Sequence, residues 1–313
     1  MAVRLGIEVK YYLYSHQHKG RAYAKALQRC GFIPDEQNAE VVLVDRESYI
    51  HSGGKPRDIV EEHIRRGSKI IVFPHSVLPP WWYDGIVKLQ SYISSVLVIG
   101  EGQKEAMRYI EPAARVDVTG WAWCRQKQYK SADEIKTILF APIHPAGGLR
   151  PEGLRANKDI IYDLKRVQSK TGVRVIVRYV GKLERQGLKQ YSRFEWVKGE
   201  PDGRTAEIDA ADVVIAEGTF MYLSVARGKP TVGINQHLPI RPNKTCDIHQ
   251  PKHWHLYGDN IAYPINYQQG QLWELIQQAN SGECSEWRGQ FIGKQLQPKK
   301  FGALIEEIAN ADR

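Results

Sequence analysis

Residues 209–234, DAADVVIAEGTFMYLSVARGKPTVGI, contain the pattern that decides the fold class of this sequence. The apolar, β-branched run at 213–216 predicts a buried strand, and Glu217, Gly218 and Thr219 form a tight turn that leads into a helix. Pro230 ends that helix, and a second apolar run follows at 231–234. A strand, a helix and a further strand in this order predict a parallel βαβ unit.

The same alternation of apolar strands and amphipathic helices extends along the rest of the chain. Strands are predicted at residues 3–9, 41–44, 69–73, 95–99, 115–118, 137–141, 173–179, 194–197, 213–216 and 231–234. Helices are predicted at residues 20–30, 57–66, 103–110, 157–170, 183–190, 219–227, 269–279 and 301–311. Apolar strands separated by helices are typical of parallel sheets that are covered on both faces.

Residues 121–134 interrupt this alternation, because they are polar and basic and show no hydrophobic period. We therefore predict an α/β protein of two tandem Rossmann-like, doubly wound parallel-sheet domains: residues 1–122, a linker at 123–134 and residues 135–313. We expect the final helix to pack back on the first domain. Ligands of open parallel sheets bind at the carboxyl ends of the strands, so we expect the active site in an interdomain cleft.

The composition is that of a folded globular chain, with 313 residues, 42% hydrophobic and 25% charged. Four scattered cysteines without a C-x-x-C pair argue against a disulfide framework or a cysteine zinc site. The sequence shows no secretory signal and no apolar run of about 18 residues, so we expect a cytoplasmic protein without a transmembrane segment. The net charge of +9 is shared by both halves, which argues against a dedicated DNA-binding module and leaves an anionic partner open.

The start of the predicted helix at residue 219 has the features of an anion site. Gly218 allows the backbone to approach a ligand closely, and the free amides and the dipole of a helix start attract a phosphate. An ordinary βαβ unit, in which Gly218 only makes a turn, explains the same pattern.

This segment resembles the phosphate-binding element in the second domain of glycosyltransferases of the GT-B type. Residues 211–215 and 228–232 match its aspartate-containing strand and its G-x-P-x-V end, a pattern shared by the nonhydrolysing UDP-sugar 2-epimerases. The resemblance implies that Glu217, Gly218 and Thr219 bind the donor, with Glu217 on a ribose or sugar hydroxyl. The turn of these families carries two or more Gly or Ser residues, whereas Glu217 precedes Gly218 here.

A second resemblance concerns residues 137–148, TILFAPIHPAGG, which are similar to the strand and loop that open the donor domain of glycerophosphotransferase-like GT-B families. Pro142 ends the predicted strand and holds His144 at its carboxyl end. Arg178 and Lys182, near the end of the next strand, match positions at which these families place a basic residue near the donor pyrophosphate. Simple solvent exposure explains His144 and Lys182 equally well.

In the first domain, residues 73–85, FPHSVLPPWWYDG, place His75 directly after a buried strand. The glycerophosphotransferase-like families have a His-Gly pair at this place and use the histidine as the base for the acceptor hydroxyl. The resemblance implies the same role for His75. Ser76 replaces the glycine, and a turn histidine without a catalytic role is the alternative.

Further residues of the first half are expected to face the acceptor. Residues 10–21 form the predicted first loop, whose basic side chains favour an anionic acceptor, and an aromatic cluster at 81–83 is either core or a stacking platform for a sugar. The predicted acceptor residues are Lys10, His16, Lys19, Arg21, Asp45 and Trp81. H-x-H pairs at 16–18 and 253–255 lack a third ligand, so we predict no metal site.

Together these features predict a metal-independent GT-B glycosyltransferase with no cofactor, whose substrate is a nucleotide-activated donor, with a UDP-linked sugar expected. The acceptor is a hydroxyl, and the basic charge favours an anionic polymer such as modified DNA. A CDP-glycerol-type polyol-phosphate transferase and a UDP-sugar 2-epimerase are the enzymatic alternatives, and a nucleotide- or nucleic-acid-binding protein is the non-enzymatic one.

Overall fold

The computed structural model describes residues 9–14, 20–45, 55–74, 91–107, 114–122, 125–142, 151–179, 188, 193–199, 205–234 and 264–311. These residues divide into two compact units. The first comprises the described residues up to 122 together with those from Gly289 onward, and the second comprises the described residues from Arg125 to Arg288. The expected boundaries, with a linker at 123–134 and a second domain at 135–313, differ from this division at residues 125–134 and 289–311.

Hydrogen bonds attach residues 125–134 to the second unit. The Lys127 amide donates to the Ala226 carbonyl at 3.0 Å, and the Lys130 amide donates to the Gly228 carbonyl at 3.0 Å. The segment was expected to be a linker because it is polar and aperiodic. These two hydrogen bonds nevertheless hold its backbone against the second unit.

The described elements alternate between strands and helices, as expected for an α/β chain. In chain order they are β1 (Lys10–Tyr14), α1 (Gly20–Arg29), β2 (Ile33–Pro34), β3 (Val41–Asp45), α2 (Lys55–Arg65), β4 (Lys69–Phe73), β5 (Ile93–Val98), α3 (Glu101–Met107), β6 (Arg115–Val118), β7 (Thr137–Ala141), α4 (Pro151–Thr171), β8 (Arg174–Tyr179), β9 (Glu195–Lys198), α5 (Ala206–Ala210), β10 (Val213–Ala216), α6 (Gly218–Ala226), β11 (Thr231–Gly233), α7 (Leu272–Asn280), α8 (Ser285–Phe291) and α9 (Pro298–Asn310). None of the described helices is long and apolar enough to cross a membrane.

The first unit is built on a six-stranded parallel sheet in the order β2-β1-β3-β4-β5-β6. Successive residues of β3 point to opposite faces of this sheet, and all five are buried, so both faces must be covered. Leu43 belongs to the apolar cluster that includes Leu27 of α1 and Ile305 of α9, whereas Val42 packs in a second cluster with Val60 of α2. The C-terminal helix α9 thus packs on α1 within the first unit.

The first described strand lies later in the sequence than expected. Lys10–Tyr14 is a strand, so the prediction of a loop is wrong for residues 10–14, whereas the helix predicted at 20–30 is confirmed at Gly20–Arg29. Tyrosine-rich segments favour strands, and Tyr11 and Tyr14 are buried, whereas the charge of Lys10 suggested a strand end. Residues 3–8 lie outside the described residues.

The second unit is built on a five-stranded parallel sheet in the order β11-β10-β7-β8-β9, with β7 in the middle. The central strands β7 and β10 are almost completely buried, as their continuous apolar runs require. Helix α6 connects β10 to β11, and its side chains are buried from Met221 to Ala226. The βαβ unit expected at 209–234 is therefore confirmed.

Two aspartates of this βαβ segment stabilise its amino-terminal side. Asp212 accepts the Lys136 and Thr137 amides at 2.9 and 2.8 Å, which joins β10 to the start of β7. Asp209 accepts a hydrogen bond from the buried Arg227 side chain. Burial alone would raise the pKa of Asp209, but the bonds from Arg227 and Lys127 lower this pKa below its usual value. These aspartates therefore have structural partners, away from the helix start at Gly218.

Candidate functional site

The strand register of the second unit brings together three of the predicted donor residues. Ala216 of β10 pairs with Ala141 of β7, so Glu217 and Pro142 follow next to each other at the carboxyl ends of adjacent strands. Phe140 of β7 pairs with Val177 of β8, so Arg178 lies on the other side of the β7 end. Parallel strands of such sheets present their ligand-binding residues at this edge.

Gly218 opens helix α6 in a conformation that favours glycine. Its φ is +53°, and among the described residues no atom outside its chain neighbours and the backbone of α6 lies within 4 Å of the place that a Cβ would occupy. Glu217 precedes it with an extended backbone and makes no side-chain capping hydrogen bond. The first turn of α6 contains no acidic residue, so the Glu217 carboxylate is the acidic group next to the helix start in the sequence. The amide groups and the dipole of a helix start favour an anion.

Arg178 is held against the start of α6 by contacts on three sides. Its side chain is 10% exposed, its Nε donates to Glu207 Oε2 at 2.7 Å, and its guanidinium carbon lies 4.6 Å from the ring centroid of Phe220. A Cβ at Gly199 would lie 2.2 Å from the Arg178 Cζ, so only glycine leaves room for the guanidinium there. Phe220 is the third residue of α6, and the cation therefore lies beside the helix start.

This arrangement concentrates positive potential at one place. A helix start carries a partial positive charge, and a buried guanidinium beside it adds a full charge, so each disfavours the other in the absence of an anion. Glu207 offsets part of that charge. A phosphate at the carboxyl edge of β10 and β7 would interact favourably with both.

The remaining predicted donor residues are described only in part. The backbone of Thr219 belongs to the first turn of α6. His144 and Lys182 lie outside the described residues.

Of the predicted acceptor residues, Lys10, Arg21 and Asp45 are described, and Lys10 and Asp45 lie at opposite edges of the first sheet. Asp45 ends β3, is completely buried and pairs in register with Phe73, the last residue of β4. Lys10 begins β1 at the opposite, amino-terminal edge of the sheet, where it forms an ion pair with Asp35 at 3.1 Å. Arg21 is exposed near the start of α1. Lys10 is thus separated from Asp45 by the length of the strands.

The ion pair of Lys10 is part of a turn. The Asn38 amide and then the Lys10 ammonium lower the pKa of Asp35 to about 2, so the carboxylate stays ionised at neutral pH. Lys10 therefore has a structural partner, which its assignment to the acceptor did not anticipate.

Around the carboxyl end of β4, the described residues contain a buried tyrosine. The Tyr23 hydroxyl donates to the Pro74 carbonyl at 3.3 Å, and burial raises the pKa of Tyr23 well above its usual value. Tyr23 thereby fixes the backbone directly before His75. His75, His16, Lys19 and Trp81 themselves lie outside the described residues.

Across the described part of the chain, no three His, Cys, Asp or Glu side chains are grouped as metal ligands. Sequence reasoning missed Glu207, Phe220 and Gly199, the residues that surround Arg178. Glu207 is 29 positions from Arg178 and lies on the five-residue helix α5, which has no recognisable hydrophobic period. No local pattern identifies such a partner.

Comparison with known proteins identifies the fold. No protein-family model matches the sequence, and no curated protein matches it in sequence. Among solved structures, the glycotransferase of kitacinnamycin matches with a TM-score of 0.56 and 12% identity over 96% of this chain and 98% of that chain. MurG of Acinetobacter baumannii matches with a TM-score of 0.54 and 13% identity over 96% and 99%.

An epimerase shares the same architecture. The UDP-GlcNAc 2-epimerase of Methanocaldococcus jannaschii matches with a TM-score of 0.51 and 8% identity over 96% of this chain and 99% of that chain. This chain spans 60% of the length of the matched chain in the GtfA/B complex. With two parallel-sheet α/β units and these structural neighbours, the chain has the GT-B fold, which glycosyltransferases and a UDP-sugar epimerase share.

Proposed function

We propose that this protein transfers a sugar from a nucleotide-activated donor to an acceptor hydroxyl. The observation that carries the proposal is the position of Arg178, a buried cation whose guanidinium packs on Phe220 in the first turn of α6, at the carboxyl edge of the second sheet. This is the edge at which open parallel sheets bind their ligands. The fold supports the same conclusion, because its neighbours include a glycotransferase.

In the proposed reaction the acceptor oxygen forms a bond to the anomeric carbon, and the bond from that carbon to the donor phosphate breaks. The leaving nucleoside diphosphate gains negative charge, which the Arg178 guanidinium and the amides at Gly218 stabilise. Glu217 follows β10 next to Pro142, and it is proposed to accept a hydrogen bond from a ribose or sugar hydroxyl. The proposal includes a UDP-linked donor and a reaction that needs no divalent metal.

The acceptor side of the proposal rests on the first unit. His75 follows Pro74, whose carbonyl Tyr23 fixes at the end of β4, and it is proposed to remove the proton of the acceptor hydroxyl. Asp45 lies in the adjacent strand at the same edge. Lys10 is not part of this proposal, because it lies at the opposite edge of the sheet.

Gly218→Val tests the donor site. Valine is strained at a φ of +53°, and its side chain enters the open space before the helix, so both the turn and the access of a phosphate change. We expect the affinity for nucleoside diphosphates to fall by about 10- to 100-fold, since one hydrogen bond to a charged group contributes ~1.5–3 kcal/mol. Calorimetric titration with UDP, GDP, CDP and TDP measures this.

Gly172→Val is the matched control. Gly172 also has a positive φ, +73°, and open space around its Cβ position, but it precedes β8 at the amino-terminal edge of the same sheet. It should lower stability about as much as Gly218→Val and leave nucleotide affinity unchanged. If the Gly218 variant and the wild type bind nucleotides with equal affinity, the assignment of the donor site to the start of α6 is wrong.

A further inference from the structure

The ion pair between Arg178 and Glu207 joins two side chains that differ in solvent exposure. Arg178 is packed between Gly199 and Phe220 and its side chain is 10% exposed, whereas the Glu207 side chain is 21% exposed and lies on the short helix α5. A guanidinium enclosed in this way keeps its position. A carboxylate on the surface side of the pair can turn to water at much lower cost.

The surroundings favour exchange of the carboxylate for another anion. Arg178 lies beside the start of α6, where the helix dipole opposes a cation and favours a negative charge. Glu207 reduces this conflict only through the Nε of Arg178, to which it is bonded at 2.7 Å. A phosphate placed between the guanidinium and the helix amides would satisfy both groups, and Arg–phosphate pairs are among the stronger ion pairs.

We propose that Glu207 is an exchangeable counter-charge of the donor site, which the donor phosphate replaces as the partner of Arg178. The inference rests on the proposed function, because it assigns the regulation of the same site. Without donor, Glu207 pairs with the Nε of Arg178, and it competes with the phosphate for this cation. A neutral ligand does not compete, so Glu207 affects only anionic ligands and sets their affinity.

Glu207→Gln tests this exchange, because it removes the charge and nearly keeps the shape. We expect the variant to unfold at a lower temperature without ligand, since the ion pair between Arg178 and Glu207 is lost. Its affinity for the nucleoside diphosphate that the wild type binds best, among UDP, GDP, CDP and TDP, should rise about two- to fivefold, the scale of a partly exposed ion pair. Affinity for the corresponding uncharged nucleoside should stay the same.

Glu195→Gln is the matched control. Glu195 of β9 accepts from Arg174 at 2.6 and 2.9 Å, in an ion pair that joins β8 to β9 near the amino-terminal end of β8, opposite the end that carries Arg178. That pair is more exposed, and Arg174 is remote from α6. The control should change neither diphosphate nor nucleoside affinity.

The outcomes separate this inference from the proposed function. If the wild type binds none of the four nucleoside diphosphates, the proposed function fails. If it binds one and Glu207→Gln binds that nucleotide equally or more weakly, Glu207 is a structural partner and the exchange is wrong. If Glu207→Gln does not fold, Glu207→Asp is measured instead. The shorter carboxylate of this variant pairs less well with Arg178, so the variant must bind the nucleoside diphosphate more tightly than the wild type does.

Discussion

Replacing His75 by alanine is expected to lower sugar transfer by ~10²–10⁴-fold, with the donor bound almost as tightly as by the wild type. The expectation follows from its place in the chain, directly after Pro74 at the carboxyl end of β4. A neutral imidazole is a suitable base for a hydroxyl near neutral pH. The measurement is the initial rate of transfer at saturating donor, together with the donor dissociation constant.

His63→Ala provides the control for removing a histidine from the same unit. His63 is buried on α2, where its Nε2 donates to the Glu36 carbonyl at 2.7 Å, so the variant should be less stable while its folded fraction keeps its turnover. A loss of less than tenfold in His75→Ala would contradict the assignment of the base. Asp45, which pairs in register with the last residue of β4, would then be examined next.

Binding of a polyanionic acceptor is expected to depend steeply on salt. The chain carries a net charge of +9, and a protein that neutralises many phosphates releases their counterions on binding. For DNA that carries hydroxymethylated bases, the dissociation constant should rise by ~10³–10⁵-fold between about 50 and 200 mM salt. Retention of this DNA on a native gel over that range measures the dependence.

A neutral oligosaccharide serves as the comparison for this measurement. Its binding should respond little to salt, because no counterions are released. If the DNA also shows a flat response, or is not retained at low salt, the anionic acceptor is wrong. A small neutral acceptor is then the better assignment.

The sequence predicts the fold well where a strand is continuously apolar. The bounds of β4 and β10 were predicted to the residue, because both strands are buried on two faces and end at Pro74 or at a turn before a helix. It fails where burial is partial. β1 contains Lys10 and only two buried tyrosines, so no apolar run distinguishes it from a loop.

The site is predicted only as far as the strand ends determine it. The resemblance implied that Arg178 and Glu217 both bind the donor, and the register puts Arg178, within β8, and Glu217, directly after β10, at the same edge of the sheet. Their binding role stays a prediction. The ion pair with Glu207 depends on how α5 packs on the sheet, and that placement leaves no trace in the local sequence. The Asp209–Arg227 pair is hidden for the same reason.

The central claim is that the protein breaks the bond between a sugar and a nucleotide and transfers the sugar to a hydroxyl. Release of free nucleotide from UDP-, GDP-, CDP- and TDP-linked sugars tests it most directly, measured after EDTA treatment with hydroxymethylated DNA or water as acceptor. We predict release from one of these donors, undiminished by EDTA and reduced in Gly218→Val. No release from any of them, even with added Mg²⁺ or Mn²⁺, or an isomerised sugar that stays attached to its nucleotide, would contradict the claim.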